Sequence, residues 1–132
     1  NLSKEIYQAN KAKGFWEDRE VIPEIIKSME GKGFSQKDVE TVKKAFNAQM
    51  ICLQHSELSE ALEADRNDLM DDKLPHRPML EVELADAVIR ILDMCGGLGL
   101  DLQGAIYEKL AYNAQRADHK VENRLKENGK KF

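Results

Sequence analysis

The chain has 132 residues, a formal net charge of −4, 42% hydrophobic residues and 33% charged residues. This length suffices for one domain with a hydrophobic core, and the lack of a basic excess excludes bulk binding of nucleic-acid polymers. No apolar run reaches the roughly 18 residues of a membrane span, so no membrane segment is expected. Cys52 and Cys95 lie in apolar stretches, which predicts buried, reduced thiols and a cytoplasmic protein.

The first part of the chain predicts two short helices separated by a glycine. Residues 2–13 form the first helix, which Gly14 ends, and residues 17–30 form an amphipathic second helix. Because proline is tolerated only near a helix start, Pro23 moves the regular part of the second helix to Ile22 or later.

An aromatic pair, Phe15-Trp16, follows Gly14. One interpretation is that these rings anchor the core. The other is that they offer a flat surface to the ring of a ligand. The sequence leaves both open.

A long third helix is predicted from Ser35, where Asp38 completes a capping box, to about Asp68. Without an internal Gly or Pro it has roughly 30 residues and a length of about 45 Å. The polar segment 67–78 that follows contains Pro75 and Pro78, which predicts a loop of functional or lid-like character.

The last two predicted helices differ in character. Residues 79–95 are apolar almost all round, with Gly96-Gly97 expected to end the helix, and Asp101 is expected to cap the final one. One face of that final helix carries Lys109, Asn113, Arg116 and Lys120. Residues 121–132 are lysine-rich and predict a flexible tail. Together the elements predict one all-α domain over residues 1–132, a bundle of about five helices with a four-helix core.

Two carboxylate pairs stand out: Glu57 with Glu60, and Glu83 with Asp86, with 22 residues between the pairs. Within each pair the acids are three residues apart and therefore share a helix face. The first pair continues an apolar stripe that ends at Leu53, and the second pair lies on the apolar fourth helix. Charged side chains on such a face must form ion pairs or bind an ion or ligand.

The residues leave more than one explanation of these acids. They can form a structural network with Arg90, Lys109 and Arg116, as part of a non-catalytic oligomerisation or interaction module. A ferritin-type metal pair requires Glu-x-x-His motifs, and none of the three histidines has a glutamate three residues earlier. Oxygen-only ligation instead suits Mg²⁺, with Mn²⁺ as an alternative. The face of the final helix with Lys109, Asn113 and Arg116 could bind a phosphate. Together with oxygen-only ligation, this face favours metal-assisted chemistry on a phosphate ester.

The motifs, taken in order, resemble the MazG-like all-α nucleoside triphosphate pyrophosphohydrolases, a superfamily related to dimeric dUTPases and dCTP pyrophosphatases. The residues that carry the resemblance are Gly14-Phe15-Trp16, His55 to Glu63, Glu83-Leu84-Ala85-Asp86, Lys109-x-x-x-Asn113-x-x-Arg116 and Gly129-Lys130-Lys131-Phe132. One departure is Ser56, where some members have a glutamate.

The resemblance implies a Mg²⁺-dependent enzyme that cleaves (d)NTPs between the α- and β-phosphates and cleans the nucleotide pool. It implies metal binding by Glu57, Glu60, Glu83 and Asp86, with Glu57 or Glu60 activating the water. It places Lys109, Asn113 and Arg116 along the nucleotide, and Phe15 and Trp16 at the base. A homodimer or homotetramer is also expected, because the helix at 79–95 has more apolar surface than one small bundle covers.

Overall fold

In a computed structural model of the protein, residues 1–116 and 125 are described. Their regular structure is helical, with one isolated bridge between Met70 and Pro78 and no strand in the part described. The helices are α1 (Leu2–Ala12), α2 (Glu17–Glu20), α3 (Ile22–Gly31), α4 (Gln36–Asn67), α5 (Met79–Leu98) and α6 (Leu102–Gln115). The all-α prediction is confirmed, and the described residues form five helices besides the single turn α2. The predicted tail at 121–132, apart from Leu125, lies outside the described residues.

The chain divides into two compact units, Asn1–Gly99 and Leu100–Phe132. The first contains α1 to α5 and the second contains α6. A single domain and a four-helix core stay predictions. None of the helices in the described ranges is long and apolar enough to cross a membrane.

The helix boundaries in the first unit follow the local signals of the sequence. Gly14 follows α1 with a φ of 84°, a left-handed conformation that glycine adopts without strain. Pro23 occupies the first turn of α3, so the predicted shift of that helix start is confirmed. Ser35 and Asp38 form both hydrogen bonds of the capping box at the start of α4. That helix runs for 32 residues to Asn67, with Asp68 as its C-terminal cap, so the predicted end at about Asp68 is confirmed.

The predicted end of the fourth helix at Gly96-Gly97 is wrong. Helix α5 continues to Leu98, and Gly99, with a φ of 67°, terminates it. A Cβ atom on Gly96 would overlap the backbone of Ser3, and one on Gly97 would overlap the indole ring of Trp16. These two glycines therefore allow α1 and the aromatic turn to approach α5 closely.

Small side chains form the buried centre of the first unit. Helix α5 packs against both α4 and α1, and α3 contacts α4. The buried apolar residues are Val39, Ala61, Ala64, Ala87 and Cys95. Many larger apolar side chains of α4 and α5 remain exposed, among them Ile51, Leu58, Leu62, Leu84 and Val88.

The two thiols differ in burial. Both are free, but only Cys95 is buried, and burial raises the pKa of its thiol. The prediction of a buried thiol is wrong for Cys52. An apolar neighbourhood in sequence does not determine which helix face a residue occupies, and Cys52 lies on an exposed face of α4.

In the second unit, the side chain of Asp101 accepts a hydrogen bond from the backbone N–H of Gly104 and caps α6. The helix ends at Gln115, and Arg116 is extended with a ψ of 129°. Arg116 is the C-terminal cap of α6, and its guanidinium and the ammonium of Lys109 both approach the Tyr112 ring. The common face of Lys109, Asn113 and Arg116 stays a prediction. No glycine or proline stands at this end of the helix, so helix propensity alone does not account for its position. Lys120 lies outside the described residues.

Candidate metal centre and adjoining cavity

Helices α4 and α5 lie side by side in opposite directions. The amide of Gln54 donates to the sulfur of Met94, and the guanidinium of Arg90 donates to Glu57, so that positions later on α4 meet positions earlier on α5. The long connection at 68–78 permits this antiparallel arrangement. It brings the two carboxylate pairs of the sequence face to face.

Three of the four predicted metal ligands come together. Glu57, Glu60 and Glu83 each offer one carboxylate oxygen, and these oxygens all lie within 4.8 Å of one another. Glu57 is 9% exposed and Glu83 is 7% exposed, whereas Glu60 is open to solvent. We call these three residues the acid cluster. Asp86 does not belong to that group of oxygens but lies beside it, half-buried on α5.

Proximity and burial raise the pKa of Glu83 to about 7. Burial is the largest cause, because it disfavours the charged form. Hydrogen bonding with Glu60 and the negative charges of Glu60, Asp86 and Glu57 act in the same direction. At neutral pH the cluster therefore holds a proton part of the time, which relieves the repulsion between its carboxylates.

The pKa of Asp86 is also raised. Burial is again the largest cause, followed by the negative charge of Glu57, while the positive charge of Arg90 opposes the shift. Asp71 contributes to this shift as well. Asp86 is therefore electrically part of the site.

Asp71 was missed by the sequence-based prediction. It is 6% exposed, and its Oδ2 accepts hydrogen bonds from the backbone N–H groups of Lys73 and Leu74. Its side chain thus fixes the turn of the 68–78 connection close to Asp86. An aspartate that starts a polar turn was the available signal, but sequence spacing cannot place a loop residue beside a helix pair.

Arg90 is the one cation of this unit that forms an ion pair with the acid cluster among the described residues. Its Nε donates to Oε1 of Glu57 at 2.5 Å. This contact is one of the pairings expected of a structural network. It balances only one carboxylate, so the site retains an excess of negative charge.

The residues predicted to contact phosphate lie on or next to α6, in the second unit. The ammonium of Lys109 lies 4.9 Å from the centre of the Tyr112 ring, and the guanidinium of Arg116 lies 5.9 Å from the same ring. Asn113 is half-buried. Their placement along a nucleotide stays a prediction.

A cavity of about 510 Å³ adjoins the acids. Glu57 and Arg90 line it together with Asp86, and apolar side chains such as Leu53 and Ile89 form its walls. The aromatic turn after α1 supplies Phe15 and Trp16 to the same cavity. It combines apolar walls with a few polar groups, as small-molecule sites do.

The two predicted aromatic residues have different environments. The indole N–H of Trp16 donates to Oδ1 of Asp93 at 2.9 Å, and its ring meets Tyr7 edge-on with 5.0 Å between the ring centres. Phe15 is 70% exposed. Trp16 thus serves as an anchor and also lines the cavity, so the two interpretations of this residue are compatible.

Arg19 is a second residue that sequence patterns did not single out. Its Nη2 donates to the side-chain oxygen of Gln49 at 3.0 Å. Its Nη1 is buried and has no hydrogen-bond partner in the described part of the chain. Arg19 also lines the cavity. It precedes a proline-containing helix in an otherwise ordinary charged segment, and no motif marks it.

The donor set of the acid cluster suits a hard cation. All three groups are carboxylates, without histidine or cysteine among them, and oxygen-only ligation is typical of Mg²⁺ and Mn²⁺ sites. Burial and the neighbouring carboxylates raise the pKa of Glu83, and a proton or a bound cation would relieve the repulsion within the cluster. No family model, curated protein or solved structure matches this chain. The case for its function therefore rests on its residues and their geometry.

Proposed function

We propose that this protein is a Mg²⁺-dependent nucleoside triphosphate pyrophosphohydrolase. It would cleave (d)NTPs between the α- and β-phosphates, giving a nucleoside monophosphate and pyrophosphate, as a house-cleaning enzyme of the cytoplasmic nucleotide pool. The observation that carries the proposal is a cluster of three carboxylates at the edge of an aromatic-lined cavity of about 510 Å³. The order of the sequence motifs, which resembles MazG-like enzymes, supports the same activity.

In this proposal Glu57, Glu60 and Glu83 hold the metal, with Asp86 beside them as a fourth acid. When bound, Mg²⁺ would supply positive charge to the triphosphate oxygens and lower the pKa of the attacking water. Glu60 is the solvent-exposed member of the cluster, so we assign it the proton that the water loses. Glu57 is held by Arg90 and is thereby oriented as a ligand.

The bond changes follow from this assignment. The water oxygen bonds to the α-phosphorus, the bond from that phosphorus to the bridging oxygen breaks, and pyrophosphate leaves. The proton of the water passes to a carboxylate oxygen of Glu60. Lys109, Asn113 and Arg116 remain the proposed contacts of the phosphates or the nucleotide, and the rings of Phe15 and Trp16 remain the proposed contacts of the base.

The test is a panel of NTPs and dNTPs with Mg²⁺, Mn²⁺ or EDTA. Pyrophosphate, and not orthophosphate, is the expected first product from at least one of them, and EDTA should stop its release. Glu60→Gln should lower kcat by roughly 100-fold or more, since it removes the proton acceptor. Glu24→Gln, a change on the exposed surface of α3, should not. Orthophosphate as first product would contradict the assignment.

A second candidate function rests on the Arg90–Glu57 ion pair and on the exposed apolar side chains of α4 and α5. These features suit a non-catalytic helical module that binds a partner through those side chains. They are equally compatible with the enzyme as a homodimer or homotetramer. Sedimentation gives the oligomeric state, and an oligomer without (d)NTP hydrolysis would favour the module.

A further inference from the structure

Arg19 has a hydrogen-bonding requirement that the protein itself does not meet. Gln49 holds Nη2 in place, while Nη1 is buried without a partner in the described residues. A buried N–H group without an acceptor costs free energy comparable to a lost hydrogen bond, so such groups are rare unless a ligand satisfies them. Because Arg19 lines the cavity, the missing acceptor belongs to whatever the cavity binds.

Arg19 and Glu57, the member of the acid cluster that lines the cavity, lie at different levels along α4. Gln49, which holds Arg19, precedes Glu57 by eight residues on α4, a separation of about 12 Å along the helix. On the facing helix, Asp93 follows Asp86 by seven residues, or about 10 Å. These separations match the span from the α-phosphate of a nucleotide, across the sugar, to the far edge of its base.

This arrangement, taken together with the proposed pyrophosphohydrolase function on which it rests, sets the orientation of a substrate. With the phosphates at the acids, the far edge of the base reaches Arg19. In a pyrimidine the ring atom opposite the glycosidic nitrogen is C4, and in a purine the far edge carries C6. The substituent on that carbon is an oxygen in uracil, thymine, guanine and hypoxanthine, and an amino group in cytosine and adenine.

We propose that Arg19 selects bases with a carbonyl at this position, that is, 4-oxo pyrimidines and 6-oxo purines. The carbonyl oxygen accepts the hydrogen bond from Nη1. An amino group would instead place N–H against N–H and leave two buried donors unpaired. Phosphate is the other strong acceptor for arginine, but it lies at the acid end, away from Gln49.

Asp93 strengthens the same preference. Its Oδ1 accepts the indole N–H of Trp16, and its second oxygen has no hydrogen bond within the described ranges. In oxo bases the ring nitrogen next to the carbonyl carries a hydrogen, which a carboxylate can accept. In cytosine and adenine that nitrogen is itself an acceptor. Arg19 and Asp93 thus offer a donor and an acceptor in the pattern that an oxo base requires.

The experiment uses two substrate pairs that differ only at this edge, dUTP against dCTP and dITP against dATP. The expected result is a kcat/KM at least about tenfold higher for the oxo member of each pair. Arg19→Met keeps the aliphatic stem and removes the donors, so it should bring the ratio close to one, mainly by slowing the oxo substrate. Arg66→Met, at an exposed arginine in the last turn of α4, is the matched control and should keep the ratio. Circular dichroism and melting temperature verify that each variant is folded.

A titration without metal or phosphate separates this inference from the proposed function. Deoxyuridine, in EDTA, should shift the indole N–H resonance of Trp16 more than deoxycytidine does, and Arg19→Met should abolish the difference. If the wild-type protein hydrolysed no (d)NTP, the proposed pyrophosphohydrolase function would be overturned, and this titration would still test the base preference. Hydrolysis with equal rates for both members of each pair, or an unchanged ratio in Arg19→Met, would overturn the inference alone.

Discussion

The guanidinium of Arg90 lies against the carboxylate of Glu57, with 2.5 Å between Nε and Oε1. The Glu57 side chain is nearly buried, whereas that of Arg90 is 43% exposed. Arg90 is thus a partly exposed cation at the edge of a site with several carboxylates. It distinguishes the two functions considered above, because a structural network requires the pair whereas a metal site can replace its charge.

Arg90→Met should lower the melting temperature in EDTA and lose much of that effect in Mg²⁺. Without the guanidinium, the acid cluster has no ion-pair partner among the described residues, which we expect to cost about 1–2 kcal/mol. The exposure of Arg90 keeps this cost below that of a fully buried pair. Bound metal restores the positive charge. The control is Arg77→Met, whose pair with Glu81 is exposed on both sides and should contribute about 0.5 kcal/mol or less. An equal loss with and without Mg²⁺ would favour the structural network.

The raised pKa of Glu83 predicts an unusual dependence of stability on pH. Its carboxyl group has an ordinary pKa of 4.5 and a pKa of about 7 in the folded protein. Below pH 4.5 it is protonated whether the chain is folded or unfolded, and above pH 7 it is ionised in both states. Since the folded state binds the proton more tightly, the metal-free protein should lose stability as pH rises through this window, by on the order of 3 kcal/mol. The raised pKa of Asp86 acts in the same direction.

Urea unfolding in EDTA between pH 4.5 and 8 measures this effect, and Glu83→Gln supplies the comparison. The variant cannot ionise at this position, so its stability should vary less with pH and should exceed that of the wild type above pH 7. Glu24→Gln, on the surface of α3, should follow the wild type. If the stabilities of the wild type and of Glu83→Gln changed in the same way between pH 5 and pH 7, this result would contradict the crowded acid cluster.

Mg²⁺ should raise the melting temperature of the wild type and raise it less in Glu60→Gln and Glu83→Gln. A cation that binds only the folded state stabilises it according to its concentration and affinity, and each substitution removes a negatively charged ligand. In EDTA both variants should melt at or above the wild-type temperature, because repulsion within the cluster falls. Thermal melts across a Mg²⁺ series give both quantities. No metal effect on the wild type, with a large fall in melting temperature for both variants, would oppose the metal site.

The sequence predicted much of this fold because its local signals are strong. The capping box at Ser35, the proline at position 23 and the uninterrupted helix formers of α4 each determine a boundary with little help from tertiary structure. The spacing of the acids likewise predicted one helix face for each pair, and one member of each pair, Glu57 and Glu83, is buried. Packing decided the rest. Gly96 and Gly97 look like a helix end in sequence, yet they lie within α5 because α1 and Trp16 approach there.

The site was less predictable than the fold. Arg19 and Asp71 carry no recognisable motif: Arg19 is held by Gln49, which is distant in the chain, and Asp71 lies in a loop that folds back beside the helix pair. Sequence periodicity predicts which face of a helix is buried, but it does not identify the element that packs against that face.

Lys109→Ala tests whether the second unit contributes to the site. If Lys109 contacts the triphosphate, the variant should raise KM by about tenfold and leave the Mg²⁺-induced rise in melting temperature unchanged, because an ammonium group is not a metal ligand. Lys37→Ala, at an exposed position in the first turn of α4, is the control for loss of one positive charge. Unaltered kinetics at both limiting and saturating substrate would remove Lys109 from the site.

Gly97→Ala should destabilise the protein although alanine favours helices. The added Cβ atom would overlap the Trp16 ring, and overpacking of this kind costs about 1–3 kcal/mol, more than the roughly 1 kcal/mol that alanine contributes in a helix. Gly31→Ala is the matched control: Gly31 also lies in a helix, and an added Cβ atom there has no neighbour within 4 Å, so this change should be neutral or stabilising. Because Trp16 lines the cavity, Gly97→Ala should also raise KM for the nucleotide. Steady-state kinetics and urea unfolding of both variants measure the two effects. Equal stability of the two variants would mean that the aromatic turn does not pack on α5 in solution.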